Sequence, residues 1–299
     1  MIDKAKIIKT PDACDVEDLY HKHFQDTCEL IQFANQDSPH SLGYSSRRVY
    51  SKNEKPWAGT HTYQDAVGLA EKGWHDRPDL GSIAGTIEAS SPRNIERTEY
   101  AVSGSWVDVG QYMTGNPECM VQFAEAPVPK VFKLAVNVWH NCRVNSFTFQ
   151  LIGAVALAVC DAVAKSGNAI EIVGIGGGHD CGIGPGYAPP FIYSFGIKDS
   201  DRLLDEDKLS FWVCHNSVLR RFFFAVLEAE TNDDDPLNFN RLTASGYSTP
   251  WNNDKKGRDL MREFGKETLK ADYTITGGPQ TVADAVKLYN EIMATLDAK

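Results

Sequence analysis

The sequence lacks the marks of several protein classes. It has no Cys-x-x-Cys pair: its seven cysteines, at positions 14, 28, 119, 142, 160, 181 and 214, are odd in number and scattered. That spacing argues against a disulfide framework and against zinc-finger geometry, and it predicts reduced thiols in a cytosol. It also has no long hydrophobic run. The longest, Leu151 to Val163, is interrupted by Asp161 and falls short of the roughly 20 residues a bilayer requires. The opening residues lead to Thr10, Pro11 and Asp12 and not into an apolar signal region. The expectation is a cytoplasmic protein with no membrane contact.

Cations are scarce. There are 30 Lys and Arg against 40 Asp and Glu, for a net charge of −10. Broad attraction of the whole molecule to nucleic acid is therefore excluded, although a local basic patch is not. There is no Gly-x-Ser-x-Gly elbow, no Gly-Lys-Ser/Thr after a glycine run, no internal repeat and no low-complexity block.

What is present is a chain of 299 residues, long enough to bury a core without metal or disulfide staples. In the front portion Thr62 reads as the N-cap of a helix over Tyr63 to Lys72, with Ala66, Leu69 and Ala70 as its buried stripe and Gly73 as its stop. Shorter helices are expected around Asp15 to Ala34 and Arg93 to Val102, with turns over residues 75 to 93. Further on, strands are expected at Phe132–Trp139, Ile170–Ile175, Phe191–Ile197, Leu209–Cys214 and Tyr273–Thr276. Helices are expected from Asn145 or Ser146 to Lys165, from Asn216 or Ser217 to Glu230, and from Thr281 to Leu296, with a loop over Tyr247 to Lys256. The order predicts an α/β fold, a layered mixed sheet flanked by helices over 126–299, preceded by an irregular α-rich N-terminal portion over 1–125. The strand at 191 to 197 is expected to pair antiparallel.

Three features could carry chemistry. The first is the glycine string from Gly176 to Gly186, which follows a buried strand. Glycines let a backbone approach a ligand, but no helix follows to complete a phosphate loop, and a loop joining two strands accounts for it. The second is spatial. His140 and Cys142, His179 with Asp180 and Cys181, and Cys214 with His215 each follow an expected strand. Parallel strands would gather them at one sheet edge, where a zinc ion and a zinc-bound water could support hydrolysis. Paired acids such as Asp199 and Asp201 read as solvated loop residues. The third is the stretch Tyr44, Arg47, Arg48, Tyr50, Lys52, Lys55 and Trp57, which interleaves cations with rings. Arg143 and the pair Arg220 and Arg221 could extend it. Single strands are bound in this manner, cations on phosphates and rings on bases.

Three blocks of residues bear a resemblance. They are Trp57-Ala-Gly-Thr60 with Ala66, Leu69-Ala70 and Gly73-Trp74; Trp106-Val-Asp108-Val109 with Tyr112, Gly115-Asn-Pro117-Glu118 and Met120; and Phe211 with His215-Asn-Ser217-Val-Leu219-Arg220-Arg221. Together, over roughly residues 55 to 230, they resemble a poorly characterised family of tailed-phage proteins. The resemblance implies a phage origin and a host-cytoplasmic setting more than a reaction. It suggests a single-stranded-DNA-binding transcription factor that recruits a two-subunit phage RNA polymerase. It transfers no residue roles. The first reading is thus a binding protein without active site or cofactor, whose partners are single-stranded DNA and a phage RNA polymerase. The second is a metal-assisted hydrolase built on His140, His179, Cys181, Cys214 and His215.

Overall fold

A computed structural model describes residues 6–9, 18–36, 46–53, 58–90, 98–103, 106–123, 129–140, 144–179, 190–230, 249–251 and 255–298. Its strands are β1 (Lys6–Lys9), β2 (Asp18–Phe24), β3 (Thr98–Ala101), β4 (Trp106–Val107), β5 (Met120–Phe123), β6 (Val131–Asn137), β7 (Ala169–His179), β8 (Phe191–Lys198), β9 (Thr249–Pro250) and β10 (Tyr273–Ile275). The α-helices are α1 (Thr27–Ala34), α2 (Tyr63–Lys72), α3 (Leu80–Ala89), α4 (Val109–Met113), α5 (Ser146–Lys165), α6 (Glu206–Cys214), α7 (Phe224–Glu230), α8 (Lys255–Glu267) and α9 (Val282–Asp297). A π-helical turn, Val218–Phe223, leads directly into α7.

The fold is α/β. One mixed sheet runs β1-β2-β8-β7-β6-β10, with β9 paired to the end of β7, and a small separate sheet runs β3-β5-β4. Strands β10, β6 and β7 are parallel, as are β2 and β8, whereas β8 is antiparallel to β7 as expected. Strands β1 and β2, from within the first 125 residues, lie in the same sheet as the strands of 126–299.

Local signals explain most elements. Asn145 accepts a hydrogen bond from Thr148 N and starts α5, while Thr62 and Thr281 form capping boxes with Asp65 and Asp284 at α2 and α9. By length and composition α5 could cross a membrane, yet its most apolar window is 72% buried inside the fold.

Five expectations are corrected. Leu209–Cys214 is not a strand but the body of α6, started by Asp205, which accepts from Lys208 N, with Glu206 and Asp207 in its first turn. Its apolar residues are buried all round, so no amphipathic period marks it. The stretch from Asp15 is not one helix. Asp18–Phe24 is β2, buried on both faces, and the helix starts only after Asp26 caps it. The turns expected over 75 to 93 contain α3, capped by Asp79, and Thr98–Ala101 is β3 where a helix was expected. The loop expected over Tyr247 to Lys256 contains β9 and runs into α8, which had no counterpart in the sequence reading.

The glycine string has a packing role. Gly174, Gly176 and Gly178 lie within β7, opposite Phe195, Tyr193 and Phe191 of β8. A Cβ on Gly174 would stand 2.3 Å from the Phe195 ring, and one on Gly176 would stand 3.1 and 3.2 Å from Phe223 and Trp139. The bare strand therefore admits a slab of rings. Trp139 meets Phe191 and Phe223 at centroid distances of 5.4 and 5.2 Å, and Phe195 meets Trp212 at 5.3 Å. Each such pair adds about 0.5–1.5 kcal/mol beyond its burial. The opposite sheet face, with Leu19, Ala135, Val173 and Ile192, packs on Leu260, Met261 and Phe264 of α8 and on Trp251. Residues 180–189 of the string lie outside the described residues.

Candidate nucleic-acid interface

Arg221 is the centre of the candidate site, and its role is the reverse of the one expected. It lies in the π-helical turn and is completely buried. Its Nη1 donates to Ser46 O and Arg48 O, both at 2.7 Å. Its Nη2 donates to Thr60 O at 2.8 Å and to His61 O at 2.7 Å, and its Nε donates to Thr60 Oγ1 at 3.3 Å. All five N–H groups are thus used on the protein's own chain. Burial pulls its pKa down, while Tyr50, whose ring lies 4.6 Å from the guanidinium, and Asp65 act in the opposite direction.

In the segment it holds, residues 46–53 and 59–62 lie in no helix or strand that would pair their carbonyls. Buried carbonyls need donors, and a planar guanidinium can serve four of them. Two further ties complete the attachment. Glu228 of α7, itself buried, accepts from Ser46 N at 2.7 Å and from Ser46 Oγ at 2.6 Å. Ser217 Oγ donates to Ala58 O at 3.0 Å and lies 3.2 Å from Thr60 Oγ1. Ser217 therefore does not cap its helix through its side chain, as expected, but joins the segment. Gly59, at φ +81°, passes so close that a Cβ would stand 2.6 Å from Ser217 Oγ.

Held in this way, the segment carries three exposed cations. Arg47, Arg48 and Lys52 are exposed, and residues 46–53 contain no acid. Arg47 donates to Ala34 O at 2.6 Å with its guanidinium 3.8 Å from the Tyr63 ring centroid. Arg48 lies over Tyr50 at 5.4 Å, and half-buried Arg220 lies over Phe224 at 5.3 Å. The rings themselves are covered: Tyr50 and Tyr63 are each 3% exposed. Burial, partly offset by Arg47, pushes the Tyr63 hydroxyl up to about 12, so it stays protonated. Two expectations change. Arg221 is an internal staple and cannot touch a ligand, and Tyr50 stacks on arginine, leaving no face for a base. Tyr44, Lys55, Trp57 and Arg143 lie outside the described residues.

Among the described residues the metal constellation is not assembled. Because α6 is a helix, Cys214 lies against α5, where a Cβ on Gly153 would meet its Sγ at 2.3 Å. Burial pushes that thiol up to about 12, far from thiolate chemistry. His215 is held between the Phe211 and Trp74 rings and accepts from Ser217 N at 3.2 Å. His140 is buried edge-on to Phe149, and burial pushes its pKa down to about 4. His179 packs against Trp251 at 4.8 Å. Among the described residues no group of three or more His, Cys, Asp or Glu side chains could hold a metal ion. Cys142, Asp180 and Cys181 lie outside them. Asp199 pairs with Arg202 at 3.0 Å.

The residues missed in the sequence were Ser46, Thr60, Ser217 and Glu228. One signal pointed toward them. Neighbouring arginines on a helix point about 100° apart, so beside a run of three phenylalanines the two differ in environment, and the one turned toward the rings requires acceptors.

One family model matches the chain, over residues 6–280, and is described as a domain of unknown function (DUF7192). No curated protein and no solved structure matches.

Proposed function

The chain belongs to the DUF7192 family, whose function is unknown, and we propose that it is a non-enzymatic protein that binds single-stranded DNA through its phosphates. In this reading Arg47, Arg48 and Lys52 make the contacts, with Arg220 beside them, and the protein acts in transcription by bringing a phage RNA polymerase to DNA. The observation that supports it is the attachment of residues 46–53. A buried arginine and a buried glutamate fix this acid-free segment, which carries exposed Arg47, Arg48 and Lys52 on a molecule of net charge −10. Because Tyr50 and Tyr63 are covered, the contacts proposed among the described residues are to phosphates, which carry little base preference. The polymerase part rests on the resemblance to phage proteins.

The test is fluorescence anisotropy with a labelled single-stranded oligonucleotide over a range of salt. Affinity should fall with salt with a slope near −0.7 per phosphate neutralised. Replacing Arg48 and Lys52 with alanine should reduce the slope by about 1.4 and weaken all sequences alike. Absence of binding at low salt would overturn the function. An unchanged slope in the double variant would overturn the site.

A further inference from the structure

The small sheet β3-β5-β4 and helix α4 form an arm, residues 98–123, built the opposite way from the rest of the protein. Its internal ties are polar. Asp108 accepts from Gln111 N at 3.1 Å to start α4, and Tyr100 Oη donates to Asp108 Oδ2 at 2.9 Å. Asp108 N donates to Cys119 O at 2.8 Å, and Asn116 Nδ2 donates to Gln111 Oε1 at 2.9 Å. The apolar side chains of its helix point outward. Val109, Tyr112 and Met113 stand at i, i+3 and i+4 on α4, one stripe of a helix face, and are 67%, 64% and 77% exposed. Val102 is 74% exposed, and Tyr100 and Val107 are also exposed. None of the arm's described side chains enters the buried clusters of the body.

Exposed apolar side chains that share one face mark a contact surface, and tyrosine and methionine are typical of interface centres. Charge selects the occupant. Residues 98–123 contain Glu99, Asp108 and Glu118 and no Lys, Arg or His. A nucleic acid or an anionic membrane would be repelled. A second copy joined symmetrically through the same face would bring like charges together. We infer that this arm docks into an apolar cleft of a partner protein whose rim carries lysine or arginine. The surface stands independently of the nucleic-acid reading.

The test places a photo-reactive benzoylphenylalanine at Tyr112 of the full chain in the cells that naturally produce it. A second chain carries it at Met113, and a control carries it at Leu203, which is 96% exposed elsewhere on the molecule. Cross-linked peptides are then sequenced. One protein should dominate at both arm positions and be absent from the control, joined through a peptide with apolar residues flanked by Lys or Arg. Glu118→Lys should lower its yield about fivefold, and matching reversal of a rim cation should restore it. Cross-links to nucleic acid, lipid, another copy of this chain or an acid-rimmed protein would overturn the inference. So would equal yields at the control, or none at all.

Discussion

Residues 46–62 and residues 98–123 both lie between the main elements of the body, and the molecule treats them in opposite ways. The first carries cations and is fastened to buried Arg221, Ser217 and Glu228. The second carries only acids, closes on itself through Asp108 and Gln111, and leaves its apolar helix stripe in water. Composition alone would rank them the other way, burying the apolar segment and freeing the charged one. The difference shows that what a segment buries is decided by its backbone. Residues 46–53 and 59–62 hold carbonyls that no helix or strand pairs and so need a donor from the body, whereas the arm pairs its own backbone in β3, β4 and β5.

Three experiments would break or sharpen this contrast. The largest effect is expected from Arg221→Met, which keeps an apolar stem but takes the donor from the carbonyls of Ser46, Arg48 and Thr60, while His61 O keeps Tyr50 N. A loss of about 3–5 kcal/mol is expected, as for other broken buried charge networks. Urea denaturation measures it, and a loss under about 1 kcal/mol would show that the segment is held by other means.

Acid should give the next largest effect. Burial lowers the His140 pKa from 6.5 to about 4, so the unfolded chain takes up the extra proton first as pH falls. Its contribution is fully present above pH 6.5 and is lost as the pH falls to about 4, a change of about 3 kcal/mol. Limited proteolysis across that window should open 46–62 along with the body. The arm, which has no histidine, should follow no such midpoint. A flat stability profile, or one unchanged in His140→Phe, would remove His140 from the account.

The smallest effect should come from Tyr112→Ser with Met113→Ser. Both side chains are exposed, so the thermal midpoint should correspond to a change within about 0.5 kcal/mol. A loss above about 1 kcal/mol would mean that the arm packs on the body and that the contrast is false.

Much of the fold was legible before any coordinates. The caps at Thr62, Asn145 and Thr281 are local chemistry, and they place α2, α5 and α9 to within a residue. The failures have a common cause. Strand β2 and helix α6 are buried on every side, so neither shows the alternation or the stripe that separates strand from helix. Helix α8 escaped notice because its first residues, Lys255 to Asp259, are charged or glycine apart from the interior. The candidate site was legible by address but not by role. Arg47, Arg48, Tyr50 and Arg221 do come together, yet one of them is internal and the ring of another is covered.

The sequence by itself determined the α/β class, the parallel crossover through α5, the scarcity of cations and their concentration near residue 47. These follow from periodicity, capping and charge, which act over a few residues. Only the tertiary structure decided which arginine is buried, why three glycines alternate along β7, and that Cys214 packs on α5 while His215 packs between rings. Those outcomes depend on contacts between residues more than a hundred positions apart, such as Arg221 with Ser46. No local pattern records which buried carbonyl a distant side chain will satisfy.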